Sequence, residues 1–291
     1  MTDLEKRGTT TQIARAEAVK SQLTGEAFVN QLAQVLPTGI AGRDPAREAK
    51  RLALVFWGAC RNTPRLLECD ISSVLSGFMH SGEMGLIPNT PAGEAYLVPY
   101  WDRARRCYAA QWQPGYRGLV KRGYELGLVK DEDVRLVYKN ERFEYRAGRN
   151  WDIAHTPILD EDERGEMICG YAICRLMTGG TVHEVKSRQD LDAVKDRSKS
   201  RDKSGKLVGP WVTDTEAMYL KTLLNALYHR HIPMSSSLSK LVGVSTAIEA
   251  GLRDPDPYIE GEIYDQKALE TTARTLNNAD KIQKAIEGKK K

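Results

Sequence analysis

Apolar residues recur at helical spacing between residues 25 and 80. They predict a helix over residues 25–36 that Pro37 ends. Asp44 and Pro45 predict the start of a second helix, because aspartate caps helix N-termini and proline suits the first helical position. A third helix fits residues 71–80. The apolar positions that define the first two helices are Phe28, Leu32, Val35, Ala49, Leu52, Ala53, Phe56 and Cys60.

The period changes after residue 94, where aromatic and small residues favour strands. Residues 94–101 and 106–113 predict a β-hairpin with a basic turn, and Pro99 indicates that its first strand lies at an edge or is bulged. A short helix fits residues 116–128. Further strands are predicted over residues 134–138, 142–146, 167–177 and 181–186.

A long helix is predicted before Pro233, starting at a T-x-x-E capping box formed by Thr213 and Glu216. The polar residues 1–22 predict a disordered or marginally helical arm. The chain becomes acidic and contains proline after Gly251, which indicates a linker, and residues 268–287 fit a small amphipathic helix or helix pair. The apolar face of the long helix is predicted to hold Ala217, Leu220, Leu224 and Leu227.

These elements place the chain in the α+β class, with an antiparallel β-hairpin and sheet core packed by helices and flexible terminal segments. The composition, 41% hydrophobic and 28% charged, is that of a globular protein. The apolar stretch at residues 52–60 is too short to cross a bilayer, and the N-terminus does not resemble a signal peptide. We therefore expect a cytoplasmic protein with no membrane association. Five scattered cysteines without a C-x-x-C spacing are interpreted as reduced packing residues.

Several catalytic classes find no support in the sequence. There is neither a G-x-x-x-x-G-K-[ST] phosphate loop nor a G-x-G-x-x-G between a strand and a helix, so an ATP-driven motor is not predicted. The contiguous acids at residues 131–133 favour a solvated turn over a two-metal nuclease centre, and His229 and His231 point to different sides of a helix. We predict no catalytic residue and no metal site. A metal-dependent nuclease stays an open alternative.

The net charge of +4 is small, but it is unevenly distributed. Residues 101–149 and 186–206 are rich in lysine and arginine, whereas residues 254–265 are acidic. In the first basic region, cations alternate with aromatic and amide side chains, which suits single-stranded nucleic acid because cations neutralise phosphates while flat rings stack on bases. A hairpin with a solvated basic turn and core aromatics is the alternative. The basic segment 195–206 predicts a mobile loop, either solvated or closing over a phosphate backbone. The candidate DNA-binding residues in these regions are Arg103, Arg105, Arg106, Gln111, Gln113, Tyr116, Arg117, Lys121, Arg122, Lys199, Arg201 and Lys203.

An ordered series of short phrases runs from about residue 52 to residue 239. The phrases are GLIP at 85–88, GEAYLVPY at 93–100, QWQPGYRGL at 111–119, VY at 137–138, Phe143, HTP at 155–157, GYA at 170–172, PW at 210–211, Met218 with KT at 221–222, and PMS at 233–235. In this order they resemble the RecT family of phage single-strand annealing proteins.

The resemblance implies a self-assembling protein that anneals complementary DNA strands in rings or helical filaments without ATP and without making or breaking bonds, and therefore not an enzyme. By matching phrases, Tyr116 and Arg117 are expected near the DNA backbone, and Lys221 is a candidate phosphate ligand. The sequence departs from the family at Asn225, where an arginine often follows the K-T phrase, so the phosphate contacts of that helix are in question. No cofactor is expected, and magnesium stays open as a modulator of assembly or DNA binding.

The resemblance also implies partners: single-stranded DNA and annealed duplex, further copies of the chain, a phage exonuclease and the host single-strand-binding protein. We expect the last of these to contact the C-terminal segment through Lys281, Lys284 and Lys289. The predicted organisation is a flexible arm at 1–22, a DNA-binding and oligomerising core at 23–245, and a linker with a small helical segment at 246–291. Leu52 and Phe56 are expected in the core or at a protomer interface. A strand-coating protein that does not anneal and a phage assembly protein without DNA affinity remain alternatives.

Overall fold

A computed structural model describes residues 3–37, 44–102, 105–198, 201, 204–233 and 235–249. These residues divide after Pro114 into two compact units, here called the N-terminal unit and the C-terminal unit. Helices and antiparallel strands occur in both, which confirms the predicted α+β class. The single predicted core at 23–245 therefore corresponds to two units in the described chain.

The N-terminal unit combines helices with one β-hairpin. Its elements are α1 (Asp3–Thr24), α2 (Glu26–Val35), α3 (Pro45–Asn62), a 3₁₀ helix (Pro64–Glu68), α4 (Ile71–Met84), β1 (Ala95–Asp102) and β2 (Cys107–Pro114). The predicted start of α3 is confirmed, since the Asp44 side chain accepts a hydrogen bond from the Ala46 amide over 3.1 Å. The predicted hairpin is also confirmed, and Pro99 lies on an edge strand because this sheet has two strands.

The N-terminal segment, expected to be a disordered or marginally helical arm, contains a helix. Residues 3–24 form α1, which packs against α3, and the side chains of Val19 and Leu23 are fully buried. The two residues are four positions apart and so share one face of the helix. This narrow apolar contact fixes the end of α1 although most of its sequence is polar.

Helix α4 is the centre of the N-terminal unit and is buried along nearly all its length. Phe78 stacks on Phe56 of α3, with ring centroids 4.5 Å apart. On another side, Gly77 lets β1 approach closely, because a Cβ there would lie 2.3 Å from Leu97 Cδ1. Phe56 therefore belongs to the core of this unit, as does Leu52.

The C-terminal unit holds a three-stranded antiparallel sheet of order β3-β6-β7 and a separate β4–β5 hairpin. Its elements are α5 (Tyr116–Glu125), β3 (Val129–Tyr138), β4 (Arg142–Arg146), β5 (Asp152–Thr156), β6 (Met167–Leu176), β7 (Thr181–Ser187), α6 (Arg188–Asp196), α7 (Pro210–Thr213), α8 (Thr215–His231) and α9 (Ser236–Glu249). Leu223 of α8 packs against Gly170 of β6, while the neighbouring Tyr171 stacks on Phe143 of β4. Because successive strand residues face opposite sides, α8 and the β4–β5 hairpin cover opposite faces of the sheet.

The predicted start of the long helix is wrong. Asp214 has φ −141° and ψ 51°, so it separates the short α7 from α8, and the Thr213 hydroxyl donates to the Asp214 carboxylate over 2.6 Å instead of capping a helix. The buried face of α8 also differs, since Ala217 is exposed and Leu220 is half-buried. Its fully buried apolar side chains are Tyr219, Leu223, Leu224, Leu227 and Tyr228.

Three further elements of the C-terminal unit were not predicted. Strand β5 was not recognised in the sequence, and its position depends on contacts such as that of His155 with Tyr171 of β6. Helix α6 occupies the beginning of the segment expected to be a loop, and its capping box, formed by Ser187 and Asp190, could have been recognised in the sequence. Helix α9 extends to Glu249, beyond the predicted linker start at 246. The expected linker after 251 and helix at 268–287 lie outside the described residues.

Candidate nucleic-acid interface

The β1–β2 hairpin, here called the first hairpin, has two chemically different faces. On the inner face Leu97 pairs with Trp112, both are buried, and the Trp112 indole donates to Ser81 of α4 over 2.8 Å. The outer face carries aromatic and amide side chains, because strand residues alternate between faces. Its members are Tyr96, Val98, Tyr100, Gln111 and Gln113.

The outer face is ordered by a hydrogen bond across the two strands. Gln113 Nε2 donates to the Tyr100 hydroxyl over 2.9 Å, and Tyr96, directly opposite Gln113, is 46% exposed. The predicted residues Gln111 and Gln113 thus share a face. The tyrosines of that face were missed, although their alternation with Ala95 and Leu97 was a visible signal.

The basic turn of the first hairpin is anchored to α4. The Arg105 guanidinium donates to Asp70, the N-cap of α4, over 3.0 Å, and the Arg105 amide donates to Asp102 over 3.1 Å. Arg106 is exposed and has φ 52°, a left-handed conformation that places it at the tight part of the turn. Arg103 lies outside the described residues. The structure therefore brings Arg105 and Arg106 together at one end of the hairpin.

Four candidate residues lie on α5 in the C-terminal unit. Arg117 is exposed, and its Nε donates to the Tyr116 hydroxyl over 3.2 Å. Lys121 is half-buried, with its ammonium 3.9 Å from Glu125. Arg122 is only 8% exposed and pairs with Glu125 over 2.7 Å. Arg122 therefore lacks the exposure that a DNA contact requires, because its side chain is packed into the unit.

The basic segment 195–206 is more structured than expected. Its first residues belong to α6, and Arg201 donates to the backbone carbonyls of Asp196, Ser198 and Gly205 over 2.8 to 3.2 Å. Arg201 therefore holds the two ends of the loop together. Lys199 and Lys203 lie outside the described residues, as do Lys281, Lys284 and Lys289.

Lys221 lies on α8 beside a polar cluster shared with α9. Burial lowers the pKa of its ammonium group, and the Glu249 carboxylate opposes that shift. Asn225, one helical turn further, is buried and donates to Ser245 over 2.7 Å and to Glu249. Asn225, where the resemblance led us to expect an arginine, thus forms a contact between two helices in this chain.

The described residues hold no group of three or more histidine, cysteine, aspartate or glutamate side chains arranged to bind a metal ion. In the same part of the chain, no helix combines the length and apolar character needed to span a bilayer.

Comparison with known proteins identifies relatives along most of the chain. It is 29% identical to Protein RecT of Escherichia coli strain K12 over 250 residues, which cover 83% of this chain and 86% of the relative. It is 26% identical over 187 residues to the uncharacterized protein YqaK of Bacillus subtilis strain 168, covering 62% of this chain and 59% of that protein. The model of the RecT family matches residues 52–261, which include both hairpins, α5 and α8. The chain therefore belongs to the RecT family and is a DNA recombination and strand-annealing protein.

Proposed function

We propose that the protein binds single-stranded DNA without ATP and anneals it to a complementary strand, and that it acts as an oligomeric ring or helical filament. The outer face of the first hairpin is the observation that carries this proposal. Flat aromatic and amide surfaces can stack on successive bases without reading their edges, and each stacked base contributes about 1 to 3 kcal/mol. Little sequence preference is then expected, because base edges specify sequence and stacking does not.

Candidate cations on the two compact units supply the phosphate contacts. Arg105 and Arg106 stand at the turn of the hairpin, and Arg117 and Lys121 lie on α5, which directly follows β2 in the chain. Arg105 and Arg106 are both exposed, but Arg105 is already paired with Asp70, so a phosphate there replaces or shares an existing partner. We assign the larger contribution at the turn to Arg106, with Arg117, Arg201 and Lys221 as further candidates.

We also propose two protein partners that take part in strand annealing. A phage exonuclease would expose the strand, and the C-terminal segment, with Lys281, Lys284 and Lys289, would recruit the host single-strand-binding protein. The site of action is the cytoplasm of a bacterial host cell. Bound strands would keep their bases accessible, and base pairing would supply the driving force, so no residue is assigned a bond-making role.

Annealing of a fluorophore-labelled strand to a quencher-labelled complement tests this proposal, using the full-length protein without ATP over a series of salt concentrations. Quenching faster than the spontaneous rate, and slower as salt rises, is the expected result, since counterions compete for phosphates. Tight binding with slowed quenching would identify a strand-coating protein instead. Shortening of the labelled strand in magnesium would point to a nuclease.

The modular role of the C-terminal segment requires a separate experiment. A variant lacking residues 252–291 should anneal naked strands at the rate of the full chain and lose binding to the host single-strand-binding protein. Loss of annealing on naked strands would contradict this assignment.

A further inference from the structure

The β4–β5 hairpin, here called the second hairpin, carries an aromatic cluster at its connection. The Trp151 indole lies over the imidazole of His183 on β7, with ring centroids 4.0 Å apart and planes tilted by 33°. Tyr145 meets the same imidazole from its edge, and a hydrogen bond joins its hydroxyl to His183 Nε2 over 3.1 Å. Tyr145 is 42% exposed and Trp151 is half-buried. Neighbouring side chains thus fix the orientation of two rings that remain partly accessible.

Two exposed arginines flank this cluster. Arg146 ends β4 and Arg149 lies in the connection, next to Gly148, whose φ of 112° allows the tight turn. Neither guanidinium forms an ion pair with a carboxylate among the residues that the structure describes. By contrast, Arg142 at the start of β4 is paired with Glu144 over 3.0 Å. Two arginines therefore lie at the end of the hairpin that also holds the rings, against one exposed carboxylate, Asp152, which is opposite Arg146 in the strand register.

The base of the second hairpin is rigidly attached to the C-terminal unit. His155 of β5 contacts the Glu141 carboxylate over 3.0 Å and the Tyr171 hydroxyl over 3.2 Å. Glu141 also accepts from the amides of Tyr138 and Ile158 over 2.8 and 3.1 Å. Although burial opposes ionisation of Glu141, these hydrogen bonds hold its pKa below the usual value. The end of the hairpin is therefore presented from a fixed support.

We propose that Tyr145, Arg146, Arg149, Trp151 and His183 form a second surface for single-stranded DNA, which we call the Trp151 surface. A base stacks on the indole, and the two guanidiniums contact the phosphates on either side. This combination favours a single strand, because the bases of a duplex are already stacked on one another. The inference rests on the proposed function, and it adds an aromatic strand-binding surface on the C-terminal unit to the one on the first hairpin. A protein that pairs two strands can then hold both.

Photocrosslinking locates the surface directly. A single-stranded oligonucleotide containing iodouracil is irradiated with the full-length protein, and crosslinked peptides are identified by mass spectrometry. Crosslinks are expected in peptides covering residues 142–152 as well as in those of the first hairpin. Crosslinks confined to the first hairpin would overturn the Trp151 surface and leave the proposed function standing. The absence of any DNA binding would instead remove the proposed function itself.

Affinity measurements on matched variants provide the second test. Trp151→Ala should weaken single-strand binding about tenfold, and Trp151→Phe should restore most of it because the stacking ring returns. The double variant R146A/R149A should reduce the slope of log affinity against log salt by about 1.4, since each lost phosphate contact removes about 0.7 for a single strand. Arg142→Ala, at the other end of the same hairpin, should leave the affinity and the slope unchanged.

R146A/R149A keeps the test valid if the tryptophan variants do not fold, because both arginines are exposed and make no ion pair with a described carboxylate. An unchanged slope in this variant would contradict the inference. A polyglutamate peptide serves as a competitor. If it bound wild type and not R146A/R149A, while both proteins bound DNA equally, the surface would belong to an acidic protein partner and the proposal would fail.

Discussion

The two hairpins share a composition of aromatic residues and arginines but are stabilised in different ways. The first hairpin has eight-residue strands, and its inner face is part of the core around α4. The second has five-residue strands that are largely exposed, and a buried polar cluster at its base holds it in place. Apolar burial along a whole face therefore supports the first hairpin, whereas hydrogen bonds at one end support the second.

In each hairpin, the residues that stabilise the fold are separate from those that are proposed to bind DNA, but they are arranged differently. In the first hairpin, neighbouring residues of one strand belong to opposite faces, so adjacent substitutions should have unlike effects. In the second, the two functions lie at opposite ends, with Glu141 and His155 at the base and Arg149 and Trp151 at the connection. Mutations along each hairpin can test this contrast.

The largest expected effect is that of Trp112→Ala on the inner face of the first hairpin. It should lower the free energy of unfolding by about 3 to 5 kcal/mol, because it leaves a large cavity against α4 and removes the partner of Ser81. Denaturant unfolding followed by circular dichroism measures the loss. The preceding residue provides the control, since Gln111→Ala on the outer face should change stability by less than about 1 kcal/mol. Equal losses in the two variants would contradict the division into two faces.

Removing the carboxylate at the base of the second hairpin should cost about 2 to 4 kcal/mol, because Glu141→Ala leaves buried donors without an acceptor. The loss should be local. Hydrogen exchange over residues 142–156 is expected to accelerate, while exchange in the first hairpin stays as in the wild type. Glu144→Ala removes an exposed carboxylate of the same hairpin. It should change neither the free energy of unfolding nor the exchange rate over residues 142–156. Uniform acceleration throughout both units would show that Glu141 does not act on the hairpin alone.

The half-buried carboxyl group of Glu132, on β3 of the C-terminal unit, predicts that the stability of the protein depends on pH. Burial raises the pKa of Glu132 to about 7, nearby Asp131 adds to the shift, and the hydrogen bond from Tyr228 opposes it. A carboxyl whose pKa is higher in the folded state binds more protons there, so the unfolding free energy should fall as pH rises from about 4.5 to about 7. Glu132→Gln should therefore stabilise the protein by about 1 to 3 kcal/mol at pH 8.

That gain should disappear at about pH 4, where the wild-type carboxyl is protonated in the folded state and largely protonated in the unfolded state as well. Thermal unfolding of both proteins at the two pH values measures it. The exposed Asp133 provides a control on the same strand, since Asp133→Asn should not produce this pattern. A gain of equal size at both pH values would exclude ionisation of Glu132 as its cause.

The smallest expected effects concern four of the candidate DNA-binding cations. Replacing Arg105, Arg106, Arg117 and Lys121 together with alanine should lower the salt slope of DNA binding by up to about 2.8, because four phosphate contacts are lost. Individually, Arg105→Ala should contribute less than Arg106→Ala, since Arg105 is paired with Asp70. Arg175→Ala is a charge-matched control for these single variants. It should leave the salt slope unchanged, because Arg175 is paired with Asp131 on the three-stranded sheet. An unchanged slope in the fourfold variant would remove these residues from the interface.

The elements that could be predicted from the sequence are those with a regular local pattern, such as the first hairpin. The first hairpin was recognised because alternating burial leaves a regular pattern in strands of eight residues, and α3 because Asp44 and Pro45 mark its start. Strand β5 was missed because its position depends on contacts distant in sequence, such as that of His155 with Tyr171. The Thr213 capping box failed because Pro210 begins a separate short helix before it.

For the candidate interface, residue type predicted chemistry better than it predicted exposure. Gln111 and Gln113 lie on one face as their spacing indicates, and Arg117 is exposed. Arg122 was included for its charge, yet its position on α5 turns it toward Glu125 and into the packed unit. The cluster of Tyr145, Trp151 and His183 assembles from three separate segments, so no local motif could reveal it.

The most direct test of the central claim is the annealing rate of a variant in which Tyr96 and Tyr100 are both replaced by alanine. These rings lie on the outer face of the first hairpin and not in its core, so the variant should fold and unfold like the wild type. Without ATP, the variant should bind single-stranded DNA more weakly and anneal complementary strands at a rate close to the spontaneous one. A folded variant that anneals as fast as the wild type, with the same salt dependence, would contradict the claim that strands are held on this face.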